Sequence, residues 1–177
     1  QIHYVDWSWS KNLVRYGKVR YDVNQRRMDA LIARYDSPST AWVVHKSHRE
    51  CGTIARSFQQ AEHQERVIHY GAARGSNRFE DFDTIVVTAR HLPFTVIAAR
   101  AEHLVRLAGT SLEQALNEAE FVLEHGEMVQ AAHRIRPIRS ESPVTIVVVD
   151  ERCSDQLEPT HVFNMDVLVM NELGKAR

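Results

Sequence analysis

Short, continuous apolar runs are the feature that most restricts the fold of this chain. Ala41 to His45, Thr84 to Thr88 and Val144 to Val149 are rich in valine and other apolar residues. A strand with one face in water alternates apolar and polar residues, whereas these runs are apolar at consecutive positions. They therefore predict strands buried on both faces, and Arg66 to Tyr70 reads as a further short strand that ends at Gly71.

Helical stretches separate these strands. In the first of them Met28, Leu31 and Ile32 recur at helical spacing, and Ser111 can cap the start of a later one. Helices are expected over Asn24–Tyr35, Gly52–Gln64, His91–Leu107, Ser111–His125 and Glu127–His133. Strands that alternate with helices predict an α/β fold, in which a parallel sheet carries helices on both faces and ligands bind outside the carboxyl ends of the strands.

The two ends of the chain have less regular patterns. Tyr4, Trp7, Trp9 and Tyr16 mix with basic residues without a clear period. Residues 1–23 are therefore expected to form an irregular arm, packed on a domain that spans residues 24–177. The tail from Cys153 onward is apolar enough to pack as a strand or as a helix, and both remain open.

Composition excludes some classes of protein. The 177 residues carry 22 Lys and Arg against 23 Asp and Glu, so no overall positive field attracts nucleic acid and such a role must rest on local patches. Cys51 and Cys153 lie far apart, which favours a reduced, cytoplasmic protein. The longest apolar run is too short to cross a membrane, so no membrane partner is expected. The histidines match no zinc spacing, and no metal site is expected. Because the first residue is Gln1 and not Met, the chain is expected to be a piece of a longer protein.

Three arginines stand close together between a predicted helix and a predicted strand. Arg134, Arg136 and Arg139 repel one another unless water or an anion separates them. Gln130 lies one helical turn before Arg134 and shares its face. Planar guanidinium groups are well suited to charge on a transferred phosphoryl group. A solvated basic turn that holds Glu141 or Asp150 explains the cluster equally well from these residues alone.

A polar, glycine-containing loop precedes the strand at Thr84. In "HYGAARGSNRFEDFDTIVV", Gly71 and Gly75 allow close approach of the backbone to a ligand. Arg74, Ser76, Asn77 and Arg78 supply donors that suit a phosphate or a nucleic-acid backbone. An ordinary turn before a strand is the alternative interpretation.

Taken together, in an alternating α/β chain, these segments resemble the second RecA-like domain of superfamily 2 helicases, of the phage and plasmid type. "AWVVHKSH" resembles motif IV, and "RGSNRFEDFDTIVV" resembles motif V. "QAAHRIRP" is similar to motif VI, with Gln130 and Arg134 at matching positions. His133 replaces the usual glycine, and Arg136 comes one residue before the position that Pro137 occupies. The arginine finger is therefore left open between Arg134 and Arg136.

This resemblance implies an ATP-dependent helicase or translocase. Arg134 or Arg136 would act as the finger, Gln130 would sense the nucleotide, and Gly75, Asp83 and Arg134 would contact it. No phosphate-loop motif occurs in the sequence. ATP and Mg²⁺ would therefore be held mainly by a preceding RecA-like domain of the same protein, and this piece would not hydrolyse ATP alone.

The resemblance also implies nucleic acid as a partner, with DNA favoured over RNA. Backbone phosphates would be gripped by residues of the motif IV and motif V segments: Lys46, Ser47, His48, Arg74, Ser76 and Asn77. Two other functions remain open. One is a self-sufficient α/β enzyme that binds a phosphorylated ligand at the Gly71–Asn77 loop, and the other is a non-catalytic interaction module that uses the aromatic arm.

Overall fold

A computed structural model describes residues 1–7, 18–45, 65–73, 77–88, 92, 94–135, 141–150 and 157–174 of the chain. The strands are β1 (Ile2–Asp6), β2 (Thr40–Val44), β3 (Val67–His69), β4 (Thr84–Thr88), β5 (Thr145–Asp150) and β6 (His161–Asn164). The helices are α1 (Lys18–Tyr35), α2 (Tyr70–Ala73), α3 (Phe94–Ala108), α4 (Leu112–Glu120), α5 (Gly126–Ala132) and α6 (Met165–Gly174). A π-helical turn, Phe121–His125, joins α4 to α5, and a 3₁₀ turn, His133–Ile135, follows α5.

The six strands form one sheet in the order β3-β2-β4-β5-β1-β6, and every neighbouring pair is parallel. All five residues of β2 are buried, as the continuous apolar run predicts. Helices cover both sides of the sheet. The predicted fold class is thereby confirmed, and the arrangement is consistent with an α/β RecA-like fold.

The alternation of side chains along each strand separates two cores. Trp42 and Val44 point to one face, which is covered by Met28 and Leu31 of α1 and by Leu168 of α6. Residues of the opposite parity point to the other face, which we call the α5 face because Met128, Ala131 and Ala132 of α5 cover it. On that face they meet Ala41, Val43, Ile85, Val87, Ile146 and Val148.

The expectation of an irregular arm over residues 1–23 is wrong for residues 2–6. They form β1, an inner strand of the sheet, in which Tyr4 pairs with Val148 on one side and with Val162 on the other. The polar residues His3 and Asp6 interrupt the apolar pattern of this strand, so its sequence lacks the continuous run that marks β2, β4 and β5. Helix α1 also begins at Lys18, six residues before the predicted start at Asn24.

Most other boundaries agree with the sequence to within a few residues. β4 begins and ends where predicted, and Ser111 caps α4 by accepting a hydrogen bond from the backbone N of Gln114 at 3.2 Å. The C-terminal tail contains both alternatives, since β6 is followed directly by α6. The helix expected over Gly52–Gln64 lies outside the described residues.

A buried ion pair joins the end of α1 to the starts of β2 and β3. Nη1 of Arg66 lies 2.7 Å from Oδ1 of Asp36, and the two side chains are only 11% and 10% exposed. The same guanidinium donates to the backbone O of Thr40 at 3.0 Å, and Nε1 of Trp42 donates to Oδ1 of Asp36 at 3.0 Å. These contacts fix the side of the sheet at which the strands begin, which we call the amino edge.

Replacing Arg66 by Ala is expected to lower the free energy of unfolding by about 3–5 kcal/mol, because the buried Asp36 carboxylate loses its cation. Arg106→Ala is the matched control: its partner Glu102 is 3.3 Å away, but the two side chains are 77% and 63% exposed. The control should cost less than about 0.5 kcal/mol. Equal losses for the two variants in urea titrations would contradict a structural role for the buried pair.

Candidate functional site

The segment that resembles motif V begins at Arg74, directly after α2, and the structure describes it from Asn77 onward. α2 follows the carboxyl end of β3, and Asp83 directly precedes the amino end of β4. Between them Phe79 is buried in the core of the α5 face, and its ring meets Phe82 edge-on with the centroids 5.3 Å apart. The apolar anchor of Phe79 therefore holds the segment against the sheet while Asn77 remains exposed.

Asp83 has a clear structural role at the amino edge. Its Oδ2 accepts a hydrogen bond from Oγ of Ser39 at 2.7 Å, and its backbone O accepts one from N of Thr145 at 2.8 Å. These contacts tie the starts of β2, β4 and β5 together. Asp83 thus lies where the strands begin, whereas α2 begins where β3 ends. The side chain of Asp83 is exposed.

The segment that resembles motif VI lies on α5 and on the 3₁₀ turn after it. Met128, Ala132 and Ile135 are buried against the sheet. Gln130 is exposed and Arg134 is half-buried. Within the described part of the chain, neither side chain forms a hydrogen bond or an ion pair. The buried residues thus fix the helix while Gln130 and Arg134 are left available to a ligand.

The two segments contribute side chains to one apolar core. α2 contacts α5, and Tyr70 and Phe79 share one core with Met128, Ala131 and Ile135. More than forty residues separate the segments in the sequence, and crossover connections of a parallel sheet bring them together. For the residues that are described, the α5 face thus carries side chains from both segments.

Several predicted site residues lie outside the described residues: Lys46, Ser47, His48, Arg74, Gly75, Ser76 and Arg136. The choice between Arg134 and Arg136 as the finger consequently stays a prediction. Asn77 is described; its backbone O accepts a hydrogen bond from N of Glu80 at 3.3 Å, and its side chain is exposed. An exposed amide at this turn is compatible with a contact to a phosphate oxygen.

Sequence patterns did not reveal the π-helical turn or its buried carboxylate. Glu124 is only 7% exposed, and its Oε1 accepts a hydrogen bond from the backbone N of Leu92 at 2.6 Å. The contact attaches Leu92, which follows β4, to the π-helical turn that precedes α5. The sequence predicted a regular helix over Ser111–His125, because no particular residue type or spacing marks the extra residue of a π turn.

The donors that are present fit only part of a bound magnesium nucleotide. The guanidinium of Arg134 and the amide of Gln130 suit phosphate oxygens. Among the described residues, no group of three His, Cys, Asp or Glu side chains is arranged to hold a metal ion. In the same part of the chain, no helix has the length and apolar character needed to span a membrane.

Two clearly shifted pKa values belong to a different cluster, at the β1–β6 edge of the sheet. The ring of His3 packs against Tyr35, His161 and Phe163, with centroids 5.8, 5.0 and 5.4 Å away. Burial and then the neighbouring His161 lower the pKa of His3, while burial raises the pKa of Tyr35 to about 12. This cluster does not include Gln130, Asp83 or Arg134.

The lowered pKa of His3 makes stability depend on pH. As the pH falls through the ordinary histidine value of 6.5, the unfolded chain takes up a proton that the folded protein resists. The free energy of unfolding should therefore be largest above pH 6.5 and decline as the pH falls towards the lowered pKa of the folded state. His3→Gln should reduce this slope in urea titrations, and His103→Gln, on an exposed face of α3, is the control. An unchanged slope in His3→Gln would show that other groups cause the dependence.

Comparison with known proteins adds no relative: no family model, no curated protein and no solved structure matches the chain.

Proposed function

We propose that this chain is the second RecA-like domain of an ATP-dependent nucleic-acid helicase or translocase, in which Arg134 serves as the arginine finger. One observation carries the proposal. The segments that resemble motifs V and VI contribute Phe79 and Met128 to one core on the α5 face, and Arg134 has no ion-pair or hydrogen-bond partner within the described residues.

The burial of the Arg134 side chain and its lack of a partner support its proposed role as the arginine finger. A half-buried guanidinium without a partner has lost some of its hydration and gained no compensating contact. Ile135, which is fully buried, and the preceding α5 hold the backbone at this point. An arginine whose backbone is anchored and whose guanidinium is unpaired has no hydrogen bond or ion pair to break when a phosphate arrives.

In the proposed mechanism a preceding domain brings the nucleotide to this face. ATP with Mg²⁺, when bound, supplies the γ-phosphoryl group that is transferred to water. The guanidinium of Arg134 would donate hydrogen bonds to the phosphoryl oxygens and stabilise the charge that develops on them. Gln130, one helical turn earlier on the same face, would donate its amide hydrogens to the same group or to the attacking water.

Nucleic acid would be held by the turn at Asn77 and by the neighbouring loops that the sequence marks as polar. Contacts of this kind are made to the phosphate backbone and do not read bases. DNA is proposed over RNA, and the cytoplasm is proposed as the compartment. Glu124, in the π-helical turn before α5, accepts a hydrogen bond from N of Leu92, so a displacement of Leu92 on binding a strand would reach Arg134 through α5.

Arg134→Ala in the full-length protein is expected to lower the rate of ATP hydrolysis by roughly a thousandfold or more. The melting temperature should stay close to that of the unmodified protein, since the Arg134 side chain forms no hydrogen bond or ion pair with the described residues. Arg106→Ala, which removes an exposed arginine of α3, is the matched control and should hydrolyse ATP at the unmodified rate. Normal turnover in Arg134→Ala would refute the assignment of the finger.

Binding of single-stranded DNA is expected to depend on salt and not on sequence. With two phosphates neutralised, affinity for a single strand should fall about sevenfold between about 50 and about 200 mM salt. Asn77→Asp should weaken binding to all sequences to a similar extent, because it places a carboxylate beside the phosphates. Asn117→Asp, the same change on an exposed position of α4, should have no effect. Binding that withstands salt, or that Asn77→Asp leaves intact, would argue against this interface.

A further inference from the structure

Helices α3 and α4 form a hairpin with a small core of its own. The turn between them contains Gly109, which adopts a positive φ of 66°. The buried residues of the hairpin are Ile97, Ala101, Ala115 and Ala119, and three of these four are alanines. Small side chains let the two helices approach closely, but they remove little apolar surface from water.

The outer surface of the hairpin is unusually apolar. Ten large hydrophobic residues are exposed in the described part of the chain, and six of them lie between residues 94 and 122. They are Phe94, Val96, Leu107, Leu112, Phe121 and Val122, and Leu107 is 72% exposed. Single exposed apolar residues are common on proteins, but their concentration on one element is typical of an interaction surface.

Part of this surface forms one continuous face. On α3 the exposed residues Val96, Arg100, His103 and Leu107 follow helical spacing and share one side of the helix. On α4 and the turn after it, Gln114, Glu118 and Phe121 do the same. In each helix the stripe residues directly precede the buried ones, as Arg100 precedes Ala101 and Glu118 precedes Ala119. Both stripes are therefore rotated by the same angle and in the same direction from the core of the hairpin. Because the two helices of a hairpin are antiparallel, the stripes emerge on the same side of it.

The charges on this face are opposite on the two helices. The stripe of α3 contains Arg100, whereas the stripe of α4 contains Glu118, and α4 as a whole has three glutamates and no basic residue. Arg100 and Glu118 lie roughly 12 and 9 Å from the turn, at about 1.5 Å per helical residue. Neither forms an ion pair with another described residue. Each is therefore available to an opposite charge on another molecule.

We propose that this face binds a second copy of the chain, as a twofold-symmetric pair of hairpins. A surface with a basic stripe beside an acidic stripe complements itself when a twofold axis runs along the hairpin. The axis sets α3 of one copy against α4 of the other and preserves the distance of each residue from the turn. Arg100 then meets Glu118 of the partner copy, and Val96 meets Phe121 of the partner copy.

The resulting four-helix arrangement would bury apolar side chains that each hairpin leaves in water. Two short helices from each copy make a small interface, so the dimer should be weak, with an affinity of about micromolar order. Self-association of this kind needs no nucleotide, and its outcome is separate from that of the proposed ATP-dependent function.

Sedimentation equilibrium of the 177-residue chain tests the proposal over about a hundredfold range of concentration around that affinity. The average mass should rise from 20.4 kDa towards twice that value. Arg100→Glu and Glu118→Arg should each keep the chain monomeric. The double variant, Arg100→Glu with Glu118→Arg, should dimerise again, because the charges are exchanged and still complementary. Glu113→Arg, on another side of α4, is the matched control and should behave like the unmodified chain.

Three results would overturn the proposal. The unmodified chain could stay monomeric at every concentration, it could dimerise in a way that neither single variant reduces, or the double variant could fail to recover. Circular dichroism of each variant tests whether the fold is retained, so that loss of the dimer can be distinguished from unfolding. If Arg100→Glu weakens binding to single-stranded DNA while all variants stay monomeric, the face serves nucleic acid and not a second copy.

Discussion

The packing of α5 on β4 and β5 is the interaction on which this account of the protein depends. Met128, Ala131 and Ala132 are buried against the sheet, and a helix anchored along one side presents the other side in a fixed orientation. Gln130 and Arg134 are therefore held by the apolar residues between them and not by polar partners. The same apolar core includes Phe79 from the loop before β4, which explains how two distant polar segments come to share one face of the sheet.

The sheet supplies the rest of the framework. All six strands run in parallel, so every connection returns from the carboxyl end of one strand to the amino end of the next. Polar loops therefore collect at the two ends of the strands. At the amino edge, Asp36, Arg66 and Asp83 tie the strand starts together. Where the strands end, Glu124 connects Leu92, which follows β4, to the π-helical turn before α5. Firm contacts at both ends of the strands would allow the face between them to act as a unit if, as proposed, a second domain closes on it.

The sequence predicted the parts of the fold that depend on continuous apolar runs, and missed those that depend on context. Val144 to Val149 and Thr84 to Thr88 could be recognised because strands buried on both faces need apolar residues at every position. β1 could not, since His3 and Asp6 are polar and the strand is recognisable only once its neighbours β5 and β6 are in place. For the site, spacing alone placed Gln130 and Arg134 on one side of a helix. Their proximity to the loop at Phe79 and the link through Glu124 arise from tertiary packing, which no local pattern encodes.

Arg134 is proposed to face the phosphates of a nucleotide held by another domain. Nuclear magnetic resonance of the full-length protein with ¹⁵N-labelled arginine measures this most directly, using a non-hydrolysable ATP analogue loaded with paramagnetic Mn²⁺. The Nε–H signal of Arg134, assigned by its absence in Arg134→Lys, should broaden strongly when the analogue binds, while the signal of Arg106 stays sharp. An Arg134 signal that remains as sharp as that of Arg106 with the analogue bound would contradict the account.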